Sequence, residues 1–301
     1  MSNVVIFDSG VGGLSIYQAV YKAQAVDQAL AVYQAQAVYK AQAVDQAQAV
    51  LNKAQAALNY VFVSDNQAFP YGTKGEAELI QRVVKVVESI VKRYDPKILV
   101  VACNTASTVV LPILREKFEF PIVGVVPAIK PASKRSTTRH IAVMATPATI
   151  ARPYTEQLIT DYASDCRVVK LGSSRLVTLA EQKLYGEPFD LEILETILEP
   201  ILIEPTIDVL VLACTHFPLL KDEIAKVFDA REHTIQLLDS AQGIANRVSD
   251  LTNSLSCKAS TQLEQAKKIA SFTSDVSQKT VYISKLKRLG FSDIQTLSVS
   301  L

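Results

Sequence analysis

The sequence predicts an α/β fold built as two doubly wound parallel-sheet domains with pseudo-symmetric organisation. Three observations predict it. Short apolar, β-branched runs recur without polar alternation, which suits strands covered on both faces of a parallel sheet. Segments of helical periodicity separate most of them, and strand–helix alternation is the mark of doubly wound architecture. Two runs end alike: ILVVACNTAS (98–107) and VLVLACTHFP (209–218) each give a buried strand, Ala-Cys, a short hydrogen-bonding side chain and a helix start, with the cysteines 111 residues apart.

In chain order, strands are expected at Val4–Phe7, Tyr60–Val63, Ile98–Val101, Ile122–Val126, Ile141–Met144, Val168–Leu171, Val209–Leu212 and Ile235–Leu238. The helical periodicity is clearest at Glu76–Tyr94, Ala151–Tyr162, Leu191–Ile203 and Leu219–Phe228. Six strands run into polar residues: Asp8-Ser9-Gly10, Ser64-Asp65-Asn66, Cys103-Asn104-Thr105, Thr146, Cys214-Thr215-His216 and Asp239-Ser240. Open α/β sheets bind ligands beyond the carboxyl ends of their strands, so this recurrence points to a lined site.

One segment departs from the alternation. From Ala19 to Ala54 the chain is six hexads (AVYKAQ, AVDQAL and their kin), and QAVYKAQAVDQ occurs at both 18–28 and 36–46. Ala, Gln and Lys favour helix, and no Gly or Pro interrupts. Each hexad advances a helix by about 240° net, so the valines spread over three stripes and leave no dedicated buried face. One straight helix from Leu14 to Leu58 would run roughly 65 Å, yet the next strand begins at Tyr60, so the segment must reverse. We read it as a low-complexity helical insertion at about 18–57, outside the body that carries the site. A partner-binding arm is the functional alternative.

Bulk composition narrows the function. The 301 residues are 49% hydrophobic and 20% charged with a net charge of +1, which argues against an electrostatic nucleic-acid or membrane-surface binder. No apolar run approaches the ~20 residues of a membrane helix. The first residues, MSNVVIFDSG, lack the pattern of a signal peptide. Cysteines 103, 166, 214 and 257 show no CxxC spacing, so reduced thiols in a cytoplasmic protein are expected.

Cys103 and Cys214 carry the chemical signal. A lone buried cysteine is usually a small core hydrophobe. Two matched ones, each at a strand end before a helix N-terminus that favours thiolate, point to chemistry. A metal would need more ligands than two cysteines and one histidine. Two thiols facing one pocket suit a base on one face of a carbon and an acid on the other, the requirement for moving a proton across a stereocentre. Asp8 and His216 are the candidate helpers, although Asp8 also fits a helix cap and His216 a core position. The glycine loop DSGVGG (8–13) matches neither dinucleotide nor P-loop spacing, but could cradle a carboxylate.

DSGVGGL (8–14), SDNQAFPYG (64–72), ACNTAS (102–107), GVVPAIKPA (124–132), ACTHFPLL (213–220), LLDSAQGIA (237–245) and the GFSDIQTLSV tail stand in the order of the glutamate racemase family, which the chain resembles everywhere except the hexads. The resemblance implies two α/β domains, 1–99 with 210–301 and 100–209, and an active site between them. It implies Cys103 and Cys214 as catalytic thiols, with Asp8, His216 and Glu181 assisting. Glu181 lies in SRLVTLAEQK (174–183), where Thr178 and Ala180 depart from the family pattern. Ser9, Tyr71, Gly72, Asn104, Thr105, Thr146, Thr149 and Thr215, with Asp8 and His216, are implied substrate contacts.

The implied activity is interconversion of L- and D-glutamate, supplying peptidoglycan, with no cofactor or metal and glutamate as the small-molecule partner. No nucleic-acid or membrane partner is expected. The family often forms dimers, so a homodimer is expected as well. An aspartate or other amino-acid racemase with the same thiols is the nearest alternative. A catalytically disabled ligand-binding or scaffold protein using the hexads is the alternative of another class.

Overall fold

The structure, a computed structural model, describes residues 2–40, 58–254 and 267–299. Its strands form two parallel sheets. The first contains β1 (Ser2–Asp8), β2 (Leu58–Ser64), β3 (Pro96–Val101), β4 (Ile122–Gly124), β9 (Lys268–Phe272) and β10 (Asp293–Thr296) in the order β10-β9-β2-β1-β3-β4. The second contains β5 (His140–Ala145), β6 (Arg167–Gly172), β7 (Val209–Leu212) and β8 (Gln236–Leu238) in the order β6-β5-β7-β8.

The apolar runs are strands because both faces are covered. Val4, Val5, Ile6 and Phe7 are all fully buried, as are Ile98 to Val101 and Ile141 to Ala145. Each such side chain contributes about 1.5–3 kcal/mol over its exposed state. On one face of the first sheet lie α1 (Leu14–Lys40), α10 (Ala241–Ser254) and α11 (Thr280–Arg288); on the other lie α2 (Glu76–Tyr94) and α3 (Asn104–Lys117). The second sheet is covered by α7 (Arg175–Tyr185), α8 (Leu191–Leu202) and α9 (Lys221–Ala230) on one face. Its other face carries α4 (Ile129–Arg135) and α6 (Pro153–Tyr162), with the single turn α5 (Pro147–Ile150) beside β6.

Strand order positions the site. In the first sheet the order turns around between β1 and β3; in the second, between β5 and β7. Such switch points open a crevice beyond the strand ends. Asp8 and Cys103 follow the strands of one crevice, Thr146 and Cys214 those of the other. The backbone repeats the relation, with Ala102 N–H on Phe7 O (2.7 Å) and Ala213 N–H on Met144 O (2.8 Å).

The sheets do not follow the expected boundaries at 99/100 and 209/210. β3 and β4 pair within the first sheet, and β7 and β8 within the second. Each cysteine strand keeps the next strand as its parallel neighbour, because a helical crossover returns the chain to the same sheet. The chain therefore crosses between sheets one strand later each time. The expected helix 151–162 begins at Pro153, after a separate short turn 147–150, and the expected 219–228 is a 3-10 turn Phe217–Leu220 followed by α9.

The hexads are helical to Lys40; residues 41–57, the rest of the expected insertion, lie outside the described residues. The first hexad does have a buried side. Val20 and Gln24 are buried, in line with Tyr17 one turn before, whereas Val26 of the second hexad is 59% exposed. Gln24 donates to Ser249 Oγ (2.9 Å) and accepts from Thr252 Oγ1 (3.2 Å), both on α10. The insertion thus begins inside the body, where one stripe of an otherwise unbiased helix finds a packing surface.

Candidate active site

Between the two crevices lies a cavity of about 190 Å³, bounded by Ser9, Tyr71, Gly72, Cys103, Asn104, Thr105, Thr146, Cys214, Thr215 and His216, all expected site residues. At ~30 Å³ per water, it holds a molecule of about six waters' volume. Phe69, Pro70, Thr73, Ser174, Val177 and Thr178 complete the wall. These were not expected. Phe69, Pro70 and Thr73 lie in or beside the quoted SDNQAFPYG motif.

Asp8, Thr149 and Glu181 stand behind this wall. Asp8 is fully buried, and its carboxylate accepts Ser9 N–H (2.8 Å), Gly13 N–H (2.5 Å) and Thr215 Oγ1 (3.2 Å). The glycine loop is what lets it do so. A Cβ on Gly13 would lie 2.7 Å from Asp8 Cβ, and one on Gly12 would lie 2.6 Å from His216 Nδ1. Thr149 joins Thr105 and Thr146 in a triangle of hydroxyls, at 3.2 Å from Thr105 and 2.9 Å from Thr146, with Thr105 and Thr146 themselves 3.1 Å apart. Thr105 comes from the first sheet's helix and the other two from beyond β5, so the triangle crosses the cleft.

Each thiol has a polar neighbour. Ser9 Oγ lies 3.8 Å from Cys103 Sγ. Burial pushes the Cys103 thiol well above the ordinary thiol range, and the Asp8 charge adds to it, against the Ala106 N–H and Ser9 hydroxyl. On the Cys214 side, His216 Nε2 meets Glu181 Oε1 at 2.9 Å, and the same oxygen accepts Val11 N–H at 3.1 Å. Burial opposes the imidazolium of His216, but hydrogen bonds and charge from Cys214 and Glu181 outweigh it and lift its pKa well above the usual value. Burial likewise opposes the Glu181 carboxylate, yet the His216 bond and charge bring its pKa below the usual value. Asp8 goes the other way, burial raising its pKa against His216 and its three donors.

Two groups do not act as their position in the sequence suggests. The Tyr71 hydroxyl is turned away to Asp65 Oδ2 (2.6 Å), so Tyr71 faces the cavity without a free hydroxyl. Asp239-Ser240, the sixth polar strand end, is spent at a crossing between the sheets, where Ser240 Oγ binds Val126 O (2.6 Å). By contrast, the buried side-chain amide of Asn104 reaches the cavity wall with its Nδ2 unpartnered. Among the described residues no three His, Cys, Asp or Glu side chains are grouped to hold a metal, and no helix is long and apolar enough to cross a membrane.

Two parallel sheets, each delivering one thiol from its switch point to a shared pocket, define a class of α/β proteins. The family model described as Asp/Glu/Hydantoin racemase matches residues 35–248, and the chain belongs to that family. It is 42% identical to a glutamate racemase of Vibrio cholerae over 97% of this chain and 95% of the relative. It is 41% identical to one of Klebsiella pneumoniae over 98% of this chain and 91% of the relative. The crystal structure of Escherichia coli glutamate racemase in complex with L-glutamate and the activator UDP-MurNAc-ala matches with a TM-score of 0.80 at 38% identity, covering 100% of this chain and 99% of that one. Isoform RacE1 from Bacillus anthracis matches with a TM-score of 0.73 at 25% identity, covering 100% and 98%. The family makes the chain an isomerase.

Proposed function

We propose that the protein interconverts L- and D-glutamate, with Cys103 and Cys214 as the two proton-transferring groups. The observation that carries this reading is the pairing of those thiols, from different sheets, on one small cavity. One thiolate takes the α-proton, breaking C–H and forming S–H, and the electron pair spreads into the carboxylate. The other thiol returns a proton to the opposite face, breaking S–H and forming C–H. The reverse reaction exchanges the roles.

The remaining residues suit this task. The free Asn104 Nδ2 supplies a donor for the carboxylate at which charge develops, where it is most valuable; the main chain at Tyr71–Gly72 faces the other end of the substrate, and Thr105, Thr146 and Thr215 line the same cavity. Asp8 holds Thr215, and its charge adds to the burial that makes the Cys103 thiolate more basic. His216, charged through Glu181, is placed to stabilise the Cys214 thiolate. The substrate ammonium adds a positive charge that eases ionisation of either thiol.

The functional units in this reading follow the sheets, residues 2–40, 58–124, 239–254 and 267–299 in one and residues 126–238 in the other. A supply of D-glutamate to peptidoglycan belongs to the same reading, as does an activator of the kind in the E. coli structure. Free Cys103, Cys166 and Cys214 support a reducing, cytoplasmic setting. A homodimer, carried over from the family, is tested by sedimentation.

Cys103→Ser and Cys214→Ser test the proposal. Each is expected to fold, to bind glutamate, and to lose about 10²–10⁴-fold in racemisation rate. A serine variant within threefold of the parent rate would remove that cysteine from the chemistry.

A further inference from the structure

Beside the cavity lies an ion pair between the half-buried Arg82 and the buried Asp65 that the proton-transfer scheme does not use. Asp65, just past β2, is fully buried, and its main-chain N–H binds the Asp8 carbonyl at 2.9 Å. Four donors converge on its carboxylate. Arg82 forks onto it through Nε (2.8 Å to Oδ2) and Nη2 (2.6 Å to Oδ1). Tyr71 OH reaches Oδ2 and Thr273 Oγ1 reaches Oδ1, both at 2.6 Å. A two-pronged guanidinium–carboxylate pair fixes direction as well as distance, which an ammonium does not.

Arg82 rides on α2, whose neighbouring Leu79, Val83 and Val86 are fully buried, so the guanidinium has a rigid mount. Its Nη2 also binds Gln67 Oε1 at 3.0 Å. One side chain therefore pins the loop 67–72 at both ends, at Gln67 directly and at Tyr71 through Asp65. Downstream, Gly72 is packed so closely that a Cβ there would lie 3.2 Å from Thr146 Cβ. Any movement of Tyr71 is thereby passed to Gly72 and to the threonine triangle across the cleft.

We infer that Arg82, acting through Asp65, is the positioning residue for the Tyr71–Gly72 edge of the pocket. The inference rests on the racemase reading for its substrate. With the Tyr71 hydroxyl committed to Asp65, the edge meets the substrate through its ring and main chain, contacts that do not change as the proton moves. Loss of such uniform binding raises KM and spares kcat.

The test uses the full chain with Arg82→Met, Arg82→Lys and Tyr71→Phe. KM and kcat are measured for both enantiomers, with amide hydrogen exchange over residues 66–74. Arg82→Met is expected to raise KM about tenfold or more with kcat within about threefold, and to speed exchange in the loop but not in β1 or β3. Arg82→Lys should recover part of the loss. Tyr71→Phe, which leaves the ion pair intact, should raise KM by a smaller factor and covers the case in which Arg82→Met does not fold. Lower thermal stability with unchanged KM and unchanged loop exchange would overturn the inference. If the parent protein fails to turn over glutamate, the racemase reading fails by itself, and loop exchange in the Arg82 variants still decides this one.

Discussion

Thr215 donates its hydroxyl to Asp8 Oδ2 at 3.2 Å, tying the end of β7 in the second sheet to the end of β1 in the first. The bond crosses from one sheet to the other. Asp8 accepts this hydroxyl and two loop N–H groups, which fix its carboxylate, and its charge acts on Cys103 through space. The hydroxyl triangle of Thr105, Thr146 and Thr149 makes a second crossing of the same cleft. The pocket is thus held from both units, and displacing either strand end disturbs both thiols.

Glu181→Gln should change stability in a pH-dependent way. His216 has a raised pKa, so its contribution is complete below about pH 6.5 and is lost as pH rises through the folded value. Glu181 has a lowered one, so its contribution is complete above about pH 4.5 and is lost as pH falls through the folded value. The pair therefore stabilises most between these two limits. The variant is expected to lose on the order of 1–3 kcal/mol there, with the deficit narrowing at lower and much higher pH. Thermal melts of both proteins from pH 4 to 9 check it; a deficit independent of pH would show that the charges of the pair are not what matters.

Gly12→Ala should disable the enzyme while leaving it folded. The new Cβ would stand 2.6 Å from His216 Nδ1 and 2.7 Å from both His216 N and the Thr215 carbonyl carbon. Two of these are backbone atoms, so the strain of about 1–3 kcal/mol is relieved by moving the Cys214-Thr215-His216 segment. A shift near 1 Å costs about 100-fold in rate. Retained circular dichroism with a rate loss of that order is the expected result; a rate within a few-fold of the parent would mean the loop yields elsewhere.

Much of this was legible in the chain. Strands buried on both faces, such as VVIF and ILVV, read as continuous apolar runs because nothing in them faces water. β9 and β10 did not, since KIASF and DIQT alternate or lie half-exposed at the sheet edge and carry no such run. The repeated Ala-Cys motif singled out two cysteines that line one cavity. It misplaced the expected boundaries, because similarity marks the cysteine strands whereas sheet membership is set by the crossover that follows. Glu181 and Thr149 were reachable only through family resemblance, being helix residues whose partners lie 35 and 44 positions away. Arg82 gave no signal at all. Its partners include Asp65, 17 residues back, and Thr273 joins the same carboxylate from 208 residues on. The first hexad looked featureless because burial of Val20 and Gln24 depends on α10, which is far along the chain.

Two thiols on one cavity divide the reaction, one taking the α-proton and the other delivering a different proton to the opposite face. Incubation of L- and, separately, D-glutamate with the protein in D₂O, followed by NMR and circular dichroism, tests it most directly. Both enantiomers are expected to exchange the α-proton for deuterium with inversion, and Cys103→Ser and Cys214→Ser each to slow inversion by about 10²–10⁴-fold. A folded protein that leaves both enantiomers unexchanged would contradict it.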